Sequence, residues 1–232
     1  MKLAIIPARG GSKRIPHKNI RQFCGLPIIA YSIRAALQSG CFDKIIVSTD
    51  DAKIASVARE HGAEVPFMRP TELANDYAGT IPVIKHAIEW FVSQGLSPEL
   101  VCCIYATAPF VTAMDLHRGL ETLIRTDAEY AFSMTDFPFP IQRALKIFAN
   151  NRIGMFEKEH LNTRSQDLEP AYHDAGQFYW GRCAAFLHEL PLFSELSTPV
   201  LLPRYRVQDI DMPEDWKRAE LMFEVLRELG EV

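Results

Sequence analysis

The stretch LAIIPARGGSKRIPHKN, residues 3–19, sets the expected fold, because a short apolar run leads directly into a basic loop. Residues 3–6 have the length and composition of a central β-strand. Pro7 lacks a backbone N–H and is expected to end the strand ladder. A strand that leads into such a loop is typical of mononucleotide sites in α/β proteins.

The loop carries groups that can grip phosphate. Gly10 and Gly11 let the backbone turn tightly, so that successive N–H groups can face one concavity, and Ser12 adds a hydroxyl donor. Four like charges on one short loop repel each other, and a polyphosphate would relieve that repulsion. The four cations are Arg9, Lys13, Arg14 and Lys18. The spacing matches neither Walker A nor G-x-G-x-x-G, and the plainer alternative is a solvated basic turn.

Strand-like and helix-like segments alternate along most of the chain, which predicts a three-layer α/β fold with a mainly parallel, Rossmann-like sheet. Apolar runs predict strands at 3–6, 44–49, 64–66, 100–105, 130–134, 176–181 and 200–202. Amphipathic periodicity predicts helices at 28–38, 52–61, 80–94, 113–125, 182–189 and 212–229. Asp50 and Asp51 are expected to cap the second of these helices.

The alternation is interrupted at 135–172, which opens with two prolines that alternate with two phenylalanines at 137–140. Short strand-like pieces at 144–148 and 153–156, joined by Asn150 and Asn151, predict a hairpin. We therefore divide the chain into an α/β domain, residues 1–134 and 173–232, and an inserted segment, 135–172. This segment is expected to carry substrate contacts, a subunit interface, or both.

The charge distribution indicates a small anionic ligand. The net charge is −4, but residues 1–42 hold seven basic residues and no acid, which leaves 18 basic and 29 acidic residues, or −11, in the remainder. A local cationic pocket on an acidic body argues against a nucleic-acid partner. No stretch has the length of a membrane span. Five cysteines without C-x-x-C spacing are expected to be reduced thiols in a cytoplasmic protein.

Two further places are candidates for ligand contacts. In residues 208–211 a strand would point Asp209 and Asp211 the same way, with Ile210 in the core, and two carboxylates suit Mg²⁺. The alternative is that Asp211 caps the helix started by Pro213 and that Asp209 is a surface residue. Arg69 precedes a helix at the expected ligand edge of the sheet, where it could contact a base or phosphate or remain a surface side chain.

Taken in order, these motifs resemble the cytidylyltransferases that activate nonulosonic, sialic-type sugar acids. The likeness begins at residues 6–19 and continues through 48–50, the Arg69–Pro70–x–x–Leu73–Ala74–x–Asp76 pattern, 106–109 and 209–211. It covers nearly the whole chain. The resemblance implies a nucleotidyltransferase fold of the GT-A-like type, a bacterial homodimer formed through 135–172, and Mg²⁺ as cofactor.

The resemblance also implies a role for each matching position. Nucleotide binding falls to Ala8, Arg9, Gly10, Gly11, Ser12, Lys13, Arg14, Asn19, Arg69, Ala78 and Thr80. Lys18 and Arg9 are the expected catalytic cations, with Lys18 near the α-phosphate. Asp209 and Asp211 match the metal ligands. Sugar binding falls to Tyr105, Arg164, His173 and Gln177.

The departures from the sialic acid enzymes all lie in the sugar-binding part of the pattern. Tyr105 stands where the family usually has Gln, and residues 173–180 replace an Asn-Gly-Ala-Ile-Tyr segment. Both changes resemble the branch that activates pseudaminic acid for bacterial surface glycans, flagellin included. The expected reaction is attack of the sugar's anomeric hydroxyl on the α-phosphorus of CTP, with pyrophosphate leaving.

Three alternatives remain open at this stage. The sugar acid could be N-acetylneuraminate, legionaminate or Kdo. A glycosyltransferase that consumes a nucleotide sugar could also use an Asp-x-Asp pair on an α/β sheet, although such enzymes rarely need so many cations in one loop. The third alternative is a non-catalytic nucleotide-binding module, which the presence of Lys18, Asp209 and Asp211 disfavours.

Overall fold

The protein, seen here as a computed structural model, is described at residues 1–75 and 77–232. Asp76, part of the predicted ligand edge, lies outside the described residues. The strands are β1 (Lys2–Pro7), β2 (Gln22–Phe23), β3 (Leu26–Pro27), β4 (Lys44–Ser48), β5 (Leu100–Ile104), β6 (Tyr130–Asp136), β7 (Leu145–Ile147), β8 (Ile153–Met155), β9 (Tyr172–Arg182) and β10 (Ser197–Leu201). The α-helices are α1 (Ile28–Ser39), α2 (Ala52–Glu60), α3 (Thr80–Ser93), α4 (Ala113–Thr126), α5 (Cys183–Leu187) and α6 (Pro213–Glu228). Single 3₁₀ turns occur at Lys18–Ile20, Thr71–Leu73, Ile141–Arg143, Lys158–His160, Ser165–Asp167 and Arg204–Arg206.

The described residues form a six-stranded sheet in the order β10-β6-β9-β5-β1-β4. Neighbouring strands are parallel except for β9, which runs antiparallel to both β5 and β6. The predicted α/β class with a mainly parallel sheet is confirmed. The antiparallel strand follows from the path of residues 137–171, which leave and re-join the sheet through short strands and 3₁₀ turns, without the crossover α-helix that usually joins parallel strands.

Period-two alternation in β1 divides the core into two layers around the sheet. Ala4 and Ile6 belong to the core beneath α1, α2 and α4, whereas Leu3 and Ile5 belong to the core beneath α3 and α5. The three-layer arrangement follows from strands that are apolar on both faces. One expected strand is much reduced, since 64–66 contributes a single bridge between Ile46 and Glu64.

A third apolar cluster links α6 to the basic loop. Trp216 and Phe223 of α6 pack with Ile15 of the loop, with Phe23 of β2 and with Ile210. Because Ile15 and Ile210 are buried in the same cluster, the loop and the 208–211 segment both pack against α6. The residues on either side of these two anchors therefore meet at the carboxyl end of β1.

The inserted segment has little core of its own. β7 and β8 form an antiparallel hairpin, and Asn151 at its turn has a positive φ of 57°, so the predicted hairpin is confirmed. Many large apolar side chains here are exposed: Phe137, Phe139, Ile141, Leu145, Ile147, Phe148, Ile153, Phe156 and Leu161. No described helix is long and apolar enough to cross a membrane.

Candidate active site

The basic loop lies at the carboxyl ends of β1 and β4 and is held there by hydrogen bonds. The Ala8 N–H donates to the Ser48 carbonyl (2.9 Å), and the Gly10 N–H donates to Asp50 Oδ1 (2.9 Å). A Cβ on Gly10 would lie 2.8 Å from Asp51 Oδ2, so glycine is required by this close approach. Asp51 alone caps α2, accepting from the Lys53 and Ile54 amides, and Asp50 instead anchors the loop.

The expected cradle of backbone amides is therefore only partly present. The Gly10 amide is taken by Asp50, and the Ser12 amide donates to the Gly10 carbonyl (3.0 Å). Asn19 is buried, and its Nδ2 donates to the Arg9 carbonyl (2.9 Å). Asn19 thus shapes the loop from within. Ligand recognition by this loop depends on side chains more than the glycine pair suggested.

A cavity of about 360 Å³ opens between the loop, the start of α3 and the end of β5. It brings together most of the predicted nucleotide-site residues, namely Arg9, Ser12, Lys13, Arg14, Lys18, Asn19, Arg69, Ala78 and Thr80, with Tyr105 and Asp211. Among the described residues, Ala8, Gly10 and Gly11 contribute loop backbone and do not line this cavity. The four cations, which all lie within residues 9–18, converge on this cavity.

Asp211 pairs with two of these cations, Lys18 and Arg14. Lys18 Nζ donates to the Ile210 carbonyl (2.7 Å) and to Asp211 Oδ1 (3.3 Å), and the Arg14 guanidinium lies 2.9 Å from Asp211 Oδ2. Although partial burial opposes it, the charges of Lys18 and Arg14 hold the pKa of Asp211 below its usual range. Asp211 does not cap α6, because Asp215 reaches back to the Asp211 and Met212 amides.

Residues 208–211 form no strand, so the condition under which Asp209 and Asp211 would point the same way is not met. Ile210 is nevertheless buried, as the predicted alternation required. Asp209 lines a neighbouring cavity of about 360 Å³ together with His173 and Asp174. Desolvation by the surrounding protein, followed by the charge of Asp211, raises the pKa of Asp209, even though the residue keeps exposed surface.

Arg69 is buried and fixed. Its Nε donates to Ser48 Oγ (3.1 Å), and its guanidinium also donates to the Ser48 carbonyl. Burial lowers the pKa of Arg69 to about 10, which leaves the guanidinium charged at neutral pH. The expected surface alternative is wrong, since Arg69 forms part of the cavity wall and joins it to β4.

Tyr105 stands between the first cavity and a second one. Its hydroxyl lies 3.0 Å from Thr80 Oγ1, and its ring packs against Tyr179 with a centroid separation of 5.2 Å. The second cavity, about 450 Å³, shares Gly79, Thr80 and Tyr105 with the first and continues towards Tyr179. The position predicted to contact the sugar therefore lies at the boundary between two adjacent cavities.

The other predicted sugar residues are dispersed. His173 lines the cavity that contains Asp209. Gln177 is buried and donates through Nε2 to the Arg206 carbonyl (2.6 Å). Arg164 is an exposed residue of the inserted segment, paired with its neighbour Asp167 at 2.7 Å, and it lines none of the three cavities described above. Sugar contact by these residues stays a prediction.

One buried ion pair was not anticipated from the sequence. Arg206 makes a bidentate pair with Asp115 of α4, at 2.7 and 3.1 Å. Arg206 begins the segment that carries Asp209 and Asp211, so this pair ties the two carboxylates to α4. No sequence signal joins two residues that are 91 positions apart.

A family model described as Cytidylyltransferase matches residues 3–230. The chain belongs to this family. The predicted recognition and the predicted enzyme class are thereby confirmed: this cytidylyltransferase is a nucleotidyltransferase enzyme. Cytidylyltransferases of this kind commonly use a divalent metal ion.

Curated relatives and solved structures agree with this cytidylyltransferase assignment. A pseudaminic acid cytidylyltransferase of Campylobacter jejuni is 46% identical over 226 residues, which are 97% of each chain. A CMP-N,N'-diacetyllegionaminic acid synthase of Legionella pneumophila is 32% identical over 97% of each chain. A structure of CMP:2-keto-3-deoxy-manno-octonic acid synthetase complexed with CTP has the same fold, with a TM-score of 0.67 and 16% identity over 96% of this chain and 98% of that one.

Proposed function

We propose that this protein transfers CMP from CTP to the anomeric hydroxyl of pseudaminic acid, giving CMP-pseudaminic acid and pyrophosphate. The observation that carries the proposal is the 46% identity with an enzyme of that name, over 97% of both chains. The product would supply a glycosyltransferase that modifies surface proteins such as flagellin.

The first cavity suits the triphosphate. Arg9, Lys13, Arg14 and Lys18 surround it with positive charge that charge-assisted hydrogen bonds to phosphate would use. A triphosphate would compete with Asp211 for Lys18 and Arg14. Positioning and electrostatic stabilisation provide most of the catalysis in phosphoryl transfer. Lys18 therefore acts at the α-phosphate, with Arg9 beside it, while Arg69, Ala78 and Thr80 receive the base.

Asp209 and Asp211 fit a Mg²⁺ site by their chemistry. Both offer carboxylate oxygens, the ligands that Mg²⁺ prefers. The charge of Asp211 contributes to the raised pKa of Asp209, and a bound cation would relieve that repulsion. Mg²⁺ bound there would neutralise phosphate charge and stabilise the leaving pyrophosphate. The buried Arg206–Asp115 pair holds the segment that supplies both ligands.

The sugar acid would enter from the second cavity and meet CTP at Tyr105. Arg164 reaches no cavity shared with Tyr105 in its own subunit, so its predicted contact with the sugar carboxylate requires a second copy. The exposed apolar side chains of the inserted segment suit burial against that copy. We therefore propose a homodimer in which each subunit contributes to its partner's sugar site.

The same proposal places the enzyme in the bacterial cytoplasm, with CTP and a nine-carbon sugar acid as its ligands and without nucleic acid or membrane partners. All five cysteines are free thiols in the structure, as suits a reducing compartment. The acidic body around a local cationic cavity suits a small anion better than a nucleic-acid backbone.

The test is pyrophosphate release from CTP, measured with and without each of four acceptors: pseudaminic acid, N-acetylneuraminate, an N,N'-diacetylated legionaminic acid, and Kdo. We expect release only with an acceptor and fastest with pseudaminic acid. Fastest release with another acceptor would reassign the sugar. Transfer of the sugar from a CMP-sugar donor to a carbohydrate acceptor, with CMP released and without any CTP turnover, would instead indicate a glycosyltransferase.

A further inference from the structure

Asp174 of β9 lies between two cavities. It lines the second cavity, which also contains Tyr105 and Tyr179, and it lines the cavity that contains Asp209. Among the described residues, Asp174 is the one that these two cavities share. It therefore borders both the space through which the sugar acid is proposed to enter and the space beside the proposed metal site. None of the roles assigned above includes Asp174.

The backbone of β9 holds the Asp174 carboxylate in place. Phe132 and Met134 of β6 are two residues apart, whereas their partners Tyr179 and Asp174 are five apart, so β9 bulges between them. Gly176 lies within this bulge at a φ of +63°, and its N–H donates to Asp174 Oδ1 (2.8 Å). The Tyr179 hydroxyl donates to Asp174 Oδ2 at 2.5 Å. One donor on each oxygen therefore fixes the orientation of the carboxylate.

The half-buried Asp174 keeps acceptor capacity for a ligand. An ionised carboxylate offers about four acceptor sites, and the Gly176 N–H and the Tyr179 hydroxyl occupy two of them. Within residues 1–75 and 77–232, Asp174 makes no ion pair with a cation. A carboxylate removed from water without a cation depends on hydrogen-bond donors for its stability. A further donor, supplied by a ligand in the second cavity, would be favourable.

The rest of the second cavity offers an anion no positive charge. Asp174 and Glu189 are the charged side chains that line it in the described part of the chain, and Glu189 is already paired with Lys85 at 2.6 Å. Most of the other lining residues are apolar, namely Ile81, Pro82, Cys103, Phe186, Leu192 and Phe193. With the charge of Asp174 left unpaired, this cavity suits an uncharged group that carries a hydrogen-bond donor and repels a second carboxylate.

We propose that Asp174 is a specificity-determining residue that binds the sugar acid directly. Its carboxylate accepts a hydrogen bond from an uncharged donor of the sugar, a hydroxyl or an amide N–H, that enters the second cavity. The sugar's own carboxylate points out of this cavity, because Asp174 repels it. Asp174 thereby fixes which end of the sugar acid occupies the second cavity. This inference rests on the proposed function and adds a contact that orients the substrate.

The first test compares steady-state constants of the full-length enzyme with pseudaminic acid, CTP and Mg²⁺. Asp174→Asn keeps the size of the side chain, but it removes the charge and leaves one oxygen for the two protein donors. We expect kcat/KM for the sugar acid to fall at least about tenfold, because a hydrogen bond to a charged group is lost. KM for CTP should change by less than about twofold.

A second test separates direct contact from a structural role. It uses analogues of pseudaminic acid in which one hydroxyl is replaced by hydrogen, or one amide N–H by an ester oxygen. With the wild type, the analogue that lacks the donor to Asp174 should lose at least about tenfold in kcat/KM, since it leaves the carboxylate unpaired. With Asp174→Asn that same analogue should lose almost nothing further, whereas the losses of the other analogues should be unchanged.

Two more variants complete the comparison. Asp136→Asn is the matched control, because Asp136 is a half-exposed carboxylate of β6 that lines the Asp209 cavity but not the second cavity, and it pairs with Arg204 at 3.4 Å. It should keep kcat/KM for the sugar acid within about twofold. Asp174→Glu retains the charge but moves it by one methylene. It should show the same altered analogue pattern, and it provides the measurement if Asp174→Asn does not fold.

Sugar-dependent turnover in the wild type, together with an unchanged kcat/KM in Asp174→Asn, would overturn the role of Asp174 and leave the proposed function intact. A loss in Asp174→Asn that is equal for pseudaminic acid and for every analogue would overturn direct contact as well. A wild type that turns over none of the sugar acids would overturn both proposals.

Discussion

Arg206→Met should destabilise the protein and weaken the proposed metal site at the same time. The substitution removes one partner of the Arg206–Asp115 pair, whose side chains are 12% and 3% exposed. Loss of one partner of a buried ion pair costs about 3 to 5 kcal/mol, because the other charge is left buried. Thr112 Oγ1 still donates to Asp115 at 2.7 Å, and Arg118 still lies 3.3 Å from it, so we expect the lower end, about 3 kcal/mol.

Arg206→Met should also lower activity, because Arg206 holds the segment that carries Asp209 and Asp211. Asp209 and Asp211 lie three and five residues beyond it, so a released segment no longer presents both carboxylates together. We expect kcat to fall at least about tenfold, since a small misplacement of charged groups is costly in phosphoryl transfer. The Mg²⁺ concentration for half-maximal rate should rise. Urea unfolding at pH 7 and rates across a Mg²⁺ series measure the two effects.

Arg118→Met is the matched control. Arg118 contacts the same carboxylate at 3.3 Å, but its side chain is 47% exposed. Because its guanidinium is half-exposed and Arg206 still pairs with Asp115, loss of Arg118 should cost about 0–1 kcal/mol, so this variant should stay near wild type in stability and in Mg²⁺ dependence. The reasoning fails if Arg206→Met costs no more than Arg118→Met. It also fails if stability drops while the Mg²⁺ dependence stays unchanged.

Three further predictions concern the metal ligands, the sugar and the assembly. Asp209→Asn and Asp211→Asn should each remove most turnover with the fold intact. Because the pKa of Asp209 is raised in the fold, its charged form costs stability at pH values above that pKa, so without Mg²⁺ Asp209→Asn should have a higher Tm than wild type at pH 7. Added Mg²⁺ should raise the Tm of the wild type only. Near-wild-type rates of the two variants at limiting Mg²⁺ would refute their assignment as metal ligands. Tyr105→Gln should narrow the preference for pseudaminic acid over N-acetylneuraminate, measured as a ratio of kcat/KM, and an unchanged ratio would count against Tyr105. Phe139→Asp with Phe156→Asp should give a monomer by light scattering, with loss of sugar turnover; a wild type that is already monomeric at micromolar concentration would contradict the dimer.

The elements with strong local patterns were predictable from the sequence. The strand that begins the chain and the helices α1 to α4 follow from runs and periodicities that the core then uses. The basic loop was recognisable for the same reason, since its glycines and cations are adjacent in sequence. Eleven of the residues that line the first cavity had been assigned to nucleotide, catalytic, sugar or metal roles beforehand.

Features that depend on distant partners were not predictable. The direction of β9 follows from how the inserted segment returns to the sheet, which no local pattern encodes. Residues 208–211 alternate as a strand would, yet they form no ladder, because Ile210 is buried against α6 rather than in the sheet. The sequence position of Asp50 suggests a helix cap. In the fold Asp50 instead accepts from the Gly10 N–H, because the loop after β1 lies next to it.

The roles of buried polar groups were the least accessible from the sequence. Gln177 is predicted to contact the sugar, and no sequence pattern indicates that its Nε2 donates to the Arg206 carbonyl. The Asp115–Arg206 pair joins residues on different elements, and it depends on burial that only the folded chain creates. Such networks gain their specificity from low local dielectric, which sequence patterns do not display.

The central claim is the choice of sugar, and a one-pot competition tests it most directly. The enzyme is given CTP, Mg²⁺ and equal concentrations of pseudaminic acid and N-acetylneuraminate, and the two CMP-sugars are quantified by mass spectrometry at low conversion. Their ratio equals the ratio of the two kcat/KM values. The account predicts that CMP-pseudaminic acid strongly predominates. Equal amounts of the two products, or an excess of CMP-N-acetylneuraminate, would contradict it.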